Sequence, residues 1–134
     1  MFWWARAAAL VGAGKVERMG FITTNSLRQT FNRRVLQTAL DRSNALTFAI
    51  PDHPWVDSAD GAAVRIAMTV LQPNAGEGRL LTVLTEAPGQ DGEVTVTLGD
   101  QRGVIHADLS VGANVSSVAG LQANSNLSNR CEQR

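Results

Sequence analysis

The sequence has little of what several common kinds of site require. Its 134 residues include one cysteine, Cys131, and two histidines, His53 and His106. A single cysteine excludes a disulfide framework within the chain and a cysteine-rich zinc site. Two isolated histidines are too few to predict a metal site. The longest apolar run, at 7–13, is far shorter than the ~18 residues that a membrane-spanning helix needs.

The sequence also lacks a phosphate-binding loop and a clear targeting signal. Gly12-Ala13-Gly14-Lys15 has neither the spacing of a phosphate loop nor a preceding strand, so we interpret it as the end of a helix. No charge precedes the N-terminal apolar run, and two tryptophans and an arginine interrupt it, which is not typical of a signal peptide. We therefore expect a cytoplasmic protein. His53, Asp57 and Ser58 suggest a catalytic triad on paper, but no nucleophile elbow supports it.

The chain does contain enough apolar sequence for a folded core, together with an uneven distribution of charge. Hydrophobic residues make up 44% of it, which excludes disorder of the whole chain. The length suits one domain or a piece of a larger one. The net charge is zero, but residues 1–43 carry a net +5 and the remainder a net −5. The basic half indicates either an acidic partner such as nucleic acid or a solvated helix face.

Hydrophobic periodicity predicts two helices and three strands in the first half of the chain. Their predicted order is helix 2–13, strand 18–24, helix 27–40, strand 45–50, loop 52–61 and strand 63–70. Strand–helix–strand spacing predicts a buried parallel pair, and the short link before the third strand predicts that it is antiparallel. Ser26 and Gln29 have the spacing of a capping box, and Phe31 lies on the predicted core-facing stripe of the second helix. Pro51 is predicted to end the second strand.

The pattern changes beyond residue 71. The segment 72–78 contains Pro, Asn and Gly and predicts a linker. Segments 79–85, 93–98 and 104–109 alternate apolar and polar residues, which predicts a β-meander with one solvated face. Residues beyond 110 show weak periodicity and are expected to be poorly anchored. The predicted fold class is therefore α/β over 1–71, followed by a small β-rich region over 79–134.

The loop at 52–61 is the most informative candidate site. It follows a strand expected to be parallel to its neighbour, and ligands of open α/β sheets bind at the carboxyl ends of such strands. Pro51 and Pro54 stiffen the loop, and Trp55 offers a flat surface for stacking. Trp55 either packs against the core or faces a ligand.

Three longer segments carry a family resemblance. They are WWARAA at 3–8, GFITTNSLRQTFNRR at 20–34 and FAIPDHPWVDSADGAAVRIAM at 48–68. They resemble bacterial adenine-specific (N6) DNA methyltransferases, in particular those of large restriction-modification enzymes. IHADL at 105–109 and LQAN at 121–124 resemble the stretch that follows the catalytic domain there. The resemblance covers nearly the whole chain, and the two long segments are its most specific part.

The resemblance implies part of a Rossmann-like sheet that binds S-adenosylmethionine. The strands at 18–24, 45–50 and 63–70 would be the fifth, sixth and antiparallel seventh, and 79–134 would begin a target-recognition region. The implied reaction transfers a methyl group from S-adenosylmethionine to N6 of a flipped adenine. The glycine-rich cofactor motif and the Asn-Pro-Pro-aromatic catalytic motif, which lie upstream in the family, are absent here. We therefore expect a C-terminal fragment of a catalytic domain, missing an N-terminal half, that is inactive alone and binds the cofactor poorly.

The resemblance also suggests which residues meet DNA, the implied partner of the parent enzyme. Trp55 matches the aromatic residue that faces the extruded adenine, and Pro54, Asp57 and His53 would shape the pocket. Arg28, near the start of the helix after the fifth strand, would contact a DNA phosphate. No catalytic, cofactor-binding or metal-binding residue is assigned.

Two readings of the whole chain remain open. A methyltransferase fragment is expected to expose an apolar strand edge and to aggregate. The alternative is a small standalone DNA- or protein-binding module derived from the half-domain, which is expected to be monomeric and to melt cooperatively.

Overall fold

A computed structural model describes residues 1–55, 64–89 and 94–112. Two helices that contact each other pack on a five-stranded mixed sheet. The elements are α1 (Phe2–Gly12), β1 (Met19–Thr24), a 3₁₀ turn (Asn25–Arg28), α2 (Thr30–Leu40), β2 (Asn44–Trp55), β3 (Val64–Pro73), β4 (Gly78–Pro88) and β5 (Val94–Gly103). Among these helices none has the length and apolar character that crossing a membrane requires.

The strand order is β1-β3-β2-β4-β5. β3 is antiparallel to both β1 and β2, so the predicted antiparallel orientation of the third strand is confirmed. β1 and β2 consequently run in the same direction, but the prediction that they pair directly is wrong because β3 lies between them. Ile66, Ala67 and Leu71 of β3 are buried, and a strand apolar on both faces is stable only with neighbours on both sides.

The prediction that Pro51 ends the second strand is also wrong. β2 continues through Pro51 and Pro54 to Trp55, with a bulge between Ile50 and His53. β4 pairs with β2 only at Phe48 and Ala49. The prolines therefore lie where β2 has no β4 neighbour, and the missing N–H groups remove no bond on that side. We call the opening between β2 and β4 beyond these pairs the fork.

β1 was predicted to be a buried strand, and this is wrong. It lies at an edge of the sheet, and within it only Met19 is buried, whereas Ile22 is 58% exposed. The apolar run that suggested burial is covered on one face, where the helices pack, and open on the other. Among the described strands β1 pairs only with β3, and the aggregation expected of a fragment remains a prediction.

The core lies between the helices and the sheet. Trp4 of α1 is 1% exposed, and its Nε1 donates a hydrogen bond to Thr69 Oγ1 of β3 at 3.1 Å. The other large side chains that are almost fully buried come from α1, the 3₁₀ turn, α2, β2 and β3; they are Val11, Leu27, Leu36, Leu46 and Leu71. One continuous core thus joins both helices to β1, β3 and β2, and it includes Leu80 of β4.

The start of α2 differs from the prediction in two ways. Ser26 makes no capping box; its Oγ lies 2.6 Å from Thr24 Oγ1, and the residue before α2, Gln29, makes no side-chain cap. Phe31 is 83% exposed rather than in the core. Gln29 is extended (φ −64°, ψ 149°), which breaks the helical phase, so Phe31 no longer shares a face with buried Leu27.

The β-rich region is only partly as predicted. β4 and β5 form an antiparallel hairpin, but 104–109 is not a third strand. Ile105 makes isolated bridges to Leu46 and Val111, and it packs into the core with Ala107 and Leu109. Burial against the core thus replaces strand pairing in this segment. Residues beyond 112, including Cys131, lie outside the described residues.

The predicted linker at 72–78 is short in the structure. Gln72 and Pro73 belong to β3, Asn74 turns the chain with φ 53°, and Gly78 begins β4. β4 joins the same sheet as β2. The division into a catalytic-domain part and a recognition region remains a prediction.

Replacing Gly78 by alanine is expected to lower the free energy of unfolding by about 1–3 kcal/mol. A Cβ at this position would collide with the carbonyl oxygen of Leu46 and lie 2.8 Å from Ile105 Cδ1. The carbonyl belongs to the backbone of β2 and has no rotamer that moves it away. Urea denaturation measures the change, and Gly76→Ala, whose Cβ meets nothing within 4 Å, is the control. Equal losses in the two variants would contradict the steric explanation.

Candidate functional site

β1 and β2 run in the same direction, so their carboxyl ends lie at the same end of the sheet, which we call its carboxyl edge. β1 leads into the 3₁₀ turn Asn25–Arg28, and β2 ends at Trp55. Asn25 Nδ2 donates to Asp52 Oδ1 at 3.2 Å, so the turn and the strand end are in direct contact. We call Asn25, Arg28 and residues 52–55, together with Arg65 and Glu86, the strand-end site.

Trp55 is the last residue of β2 and pairs with Val64 of β3. It is 49% exposed, so it does not plug the core. Pro54 and His53 precede it and are half-buried, and His53 Nδ1 lies 2.7 Å from the carbonyl oxygen of Pro54. Asp57 lies outside the described residues. Of the predicted pocket residues, the structure thus brings Trp55, Pro54 and His53 to one strand end, and their contact with adenine remains a prediction.

Arg28 is the exposed last residue of the 3₁₀ turn. Its carbonyl oxygen accepts a hydrogen bond from Arg33 Nη2 at 3.3 Å, which ties the turn to α2. Its charge contributes to lowering the pKa of Asp52, and its turn is bonded to Asp52 through Asn25. Arg28 is therefore on the same edge of the sheet as the end of β2.

Arg65 was not predicted as a site residue, yet it makes the most contacts there. Its Nε donates to Asp52 Oδ1 at 2.6 Å. Its Nη1 and Nη2 donate to Glu86 Oε2 at 3.2 Å and Oε1 at 2.8 Å. One guanidinium thus joins β3 to β2 and reaches across the fork to β4. One feature of the sequence pointed to Arg65: it is the one charged residue in the otherwise apolar and neutral sequence of β3.

These contacts shift the ionisation of all three groups. Partial burial raises the pKa of Asp52. The hydrogen bonds from Arg65 and Asn25 and the charges of Arg65 and Arg28 outweigh this effect, so the pKa lies below the ordinary 3.8. The hydrogen bonds from Arg65 lower the pKa of Glu86 below 4.5. The hydrogen bond to Glu86, and then that to Asp52, raises the pKa of Arg65. Asp52, Glu86 and Arg65 are therefore all charged at neutral pH.

The stabilising effect of Glu86 is expected to depend on pH. Its pKa is lower in the folded chain than the ordinary 4.5, so its pairing with Arg65 stabilises the fold above that pH. The stabilisation is lost as the pH falls through the folded-state pKa. Glu86→Gln should therefore destabilise the chain at pH 7 and destabilise it less at pH 3. The effect at pH 7 should be small because the pair is partly exposed. Urea denaturation at the two pH values measures this, and an equal effect at both would contradict it.

The glycines near the N-terminus do not form a nucleotide loop. Gly14 has φ 67°, and Lys15 N–H and Gly14 N–H donate to the carbonyl oxygens of Leu10 and Val11 at 3.0 and 2.9 Å. This bonding ends a helix, so the interpretation as a helix terminus is confirmed. The strand-to-helix connection between β1 and α2 contains no glycine. The described residues therefore do not fit the glycine-rich turn that holds S-adenosylmethionine in Rossmann-like sheets.

The histidines do not share a site in the described chain. His53 contacts the backbone of Pro54, and His106 Nε2 lies 2.8 Å from the carbonyl oxygen of Gly112. Across 1–55, 64–89 and 94–112, no three His, Cys, Asp or Glu side chains come together as metal ligands.

A groove of about 300 Å³ beside β1 runs from Phe21 to Thr24 and reaches Trp3 of α1.

The fold is similar to that of a solved enzyme. The chain matches part of the Type IIL restriction-modification enzyme MmeI, whose structure was determined in complex with DNA, with a TM-score of 0.58 and 22% sequence identity. The chain has the fold of one part of MmeI. The match covers 84% of this chain and 15% of the MmeI chain. No protein-family model and no curated protein matches the sequence.

Proposed function

We propose that the chain is part of an adenine-specific DNA methyltransferase of the restriction-modification type, and that the strand-end site faces DNA. The fold shared with part of MmeI, a restriction-modification enzyme solved with DNA, supports the class. The observation that carries the proposal is the meeting of Arg28 and the end of β2 at one sheet edge, where Asn25 and Asp52 are hydrogen-bonded. Arg28 thus provides a cation for a phosphate, and Trp55 provides a half-exposed aromatic ring for a base, at the same end of the sheet.

In this proposal the residues of the chain hold DNA rather than the methyl donor. Trp55 stacks on the flipped adenine, and Pro54 and His53 support the strand end that carries it. Arg28 binds a backbone phosphate. S-adenosylmethionine supplies the methyl group to N6 of adenine, and its binding is assigned to residues outside this chain. The β4–β5 hairpin would begin the region that reads the DNA sequence.

Binding to a pool of random duplexes, each with one abasic site to mimic an unpaired target position, tests the proposal. Fluorescence anisotropy should show salt-dependent binding, and Arg28→Gln should lower the slope against log salt concentration by about one. Gln29→Ala on the same surface should leave the slope unchanged. Absence of salt-dependent binding by the wild-type chain would refute the DNA-facing site.

A second assay addresses the reaction. With tritiated S-adenosylmethionine and mixed DNA, the purified chain is expected to transfer no methyl group above background. Robust turnover by the chain alone would show that cofactor binding and catalysis lie within it and would overturn the assignment as part of a catalytic domain.

A further inference from the structure

Asp52 of the strand-end site is held by Arg65 and by the turn that carries a second arginine, Arg28. Asp52 Oδ1 accepts hydrogen bonds from Arg65 Nε at 2.6 Å and from Asn25 Nδ2 at 3.2 Å. Arg28 ends the same short turn that Asn25 begins, and its charge contributes to the lowered pKa of Asp52. Within the described ranges, the ion pairs shorter than 4 Å join Arg65 to Asp52, Arg65 to Glu86 and Arg79 to Asp100. Arg65 thus binds the carboxylate that is also near Arg28.

We propose that Arg65 is a positioning residue that holds Asp52 and thereby leaves Arg28 available for a DNA phosphate. This inference rests on the proposed function of Arg28. A guanidinium that is paired with a carboxylate on its own chain has to break that pair before it binds an anion. By pairing with both Asp52 and Glu86, Arg65 also offsets one of their two negative charges on a surface that is to meet phosphates.

The geometry explains why Arg65 rather than Arg28 holds Asp52. The guanidinium of Arg65 is fixed on two sides. Nη1 and Nη2 make a bidentate pair with Glu86, and Nε donates to Asp52. Its backbone is in a strand directly paired with β2, at the position opposite Pro54. Arg28 is an exposed residue of a single 3₁₀ turn, so ordering its long side chain costs more entropy. Without Arg65, Asp52 would pair with Arg28.

Arg65→Gln is therefore expected to weaken binding to the abasic duplex pool about three- to fivefold, the size typical of one exposed charge contact. The double variant Asp52→Asn/Arg65→Gln should regain wild-type affinity, because asparagine keeps an oxygen for Asn25 but no longer attracts Arg28. Arg79→Gln removes an equal charge from the Asp100 pair on the hairpin and should change affinity less than Arg65→Gln. A purely structural role for Arg65 predicts that Asp52→Asn gives no rescue, and that result would overturn the inference.

A readout without DNA separates this inference from the proposed function. Carboxyl ¹³C NMR titration follows the pKa of Asp52 directly. If Arg28 takes over Asp52, this pKa stays low in Arg65→Gln and rises only in Arg28→Gln/Arg65→Gln. A rise in Arg65→Gln to the value of the double variant would refute the positioning role. If the wild-type chain fails to bind DNA while Asp52 titrates as expected, the proposed function fails and the exchange of partners stands.

Discussion

Trp4→Ala is expected to lower the free energy of unfolding by about 3–5 kcal/mol. This is a large part of the about 5–15 kcal/mol that stabilises a typical domain. Trp4 is 1% exposed, fills the space between α1 and the sheet, and bonds through Nε1 to Thr69 of β3. Its removal leaves a cavity and an unpaired hydroxyl in the core. Urea denaturation followed by far-ultraviolet circular dichroism measures the loss.

The neighbouring tryptophan provides a matched control for this experiment. Trp3 is 73% exposed, and Trp3→Ala should change stability by no more than about 0.5 kcal/mol. Thr69→Val isolates the hydrogen bond, and it should cost about 1–3 kcal/mol because Nε1 loses its buried acceptor. If Trp4→Ala and Trp3→Ala have equal effects, Trp4 does not hold α1 on the sheet.

Trp55→Ala is expected to weaken binding to DNA with a mismatched adenine at the target position by about 1–3 kcal/mol, or roughly 5- to 150-fold. The half-exposed ring at the end of β2 would lose its stacking surface, whereas Trp55→Phe should retain most of the affinity. Fluorescence anisotropy measures the binding. 2-Aminopurine at the target position reports stacking of the flipped base, and its fluorescence in the complex should change in Trp55→Ala.

Trp3→Ala again serves as the control, since it removes an exposed aromatic ring from a different element. It should leave DNA affinity within twofold of wild type if the contribution of Trp55 is specific. Unchanged binding and unchanged 2-aminopurine fluorescence in Trp55→Ala would remove this residue from the site.

Hydrophobic periodicity and turn residues were sufficient to predict features that neighbouring residues determine. Periodicity predicts the N-terminal helix, and Gly14 predicts its end. The short connection before β3 predicts that this strand is antiparallel. Each of these is fixed by residues close together in the sequence. The structure agrees with all three.

Two of the wrong predictions concern features that depend on distant neighbours, and a third depends on one residue with no sequence signal. Whether Pro51 ends a strand depends on whether β4 pairs there, and β4 is about 30 residues away in the sequence. Whether β1 is buried depends on what covers its second face. Phe31 was assigned to the core because one extended residue, Gln29, which breaks the helical phase, has no sequence signal of its own.

The candidate site shows the same distinction. Trp55 and Arg28 were named from a resemblance, and the structure places them at one edge of the sheet. Arg65 and Glu86 were missed because their pairing links residues 21 apart in the sequence across the fork. A lone charge in an apolar strand was the one sequence signal for that pair, and it named no partner.

The fork also determines how different parts of the sheet move. Beyond Leu80, the β4–β5 hairpin has no pairing with β2, and in the described chain the ion pair between Glu86 and Arg65 joins its outer half to β3. Amide protons in that outer half should exchange with solvent through local opening, whereas those shared by β2 and β3 should exchange only when the whole chain unfolds. We therefore expect slow exchange in the strand that carries Trp55 and faster exchange in the outer half of the adjoining hairpin.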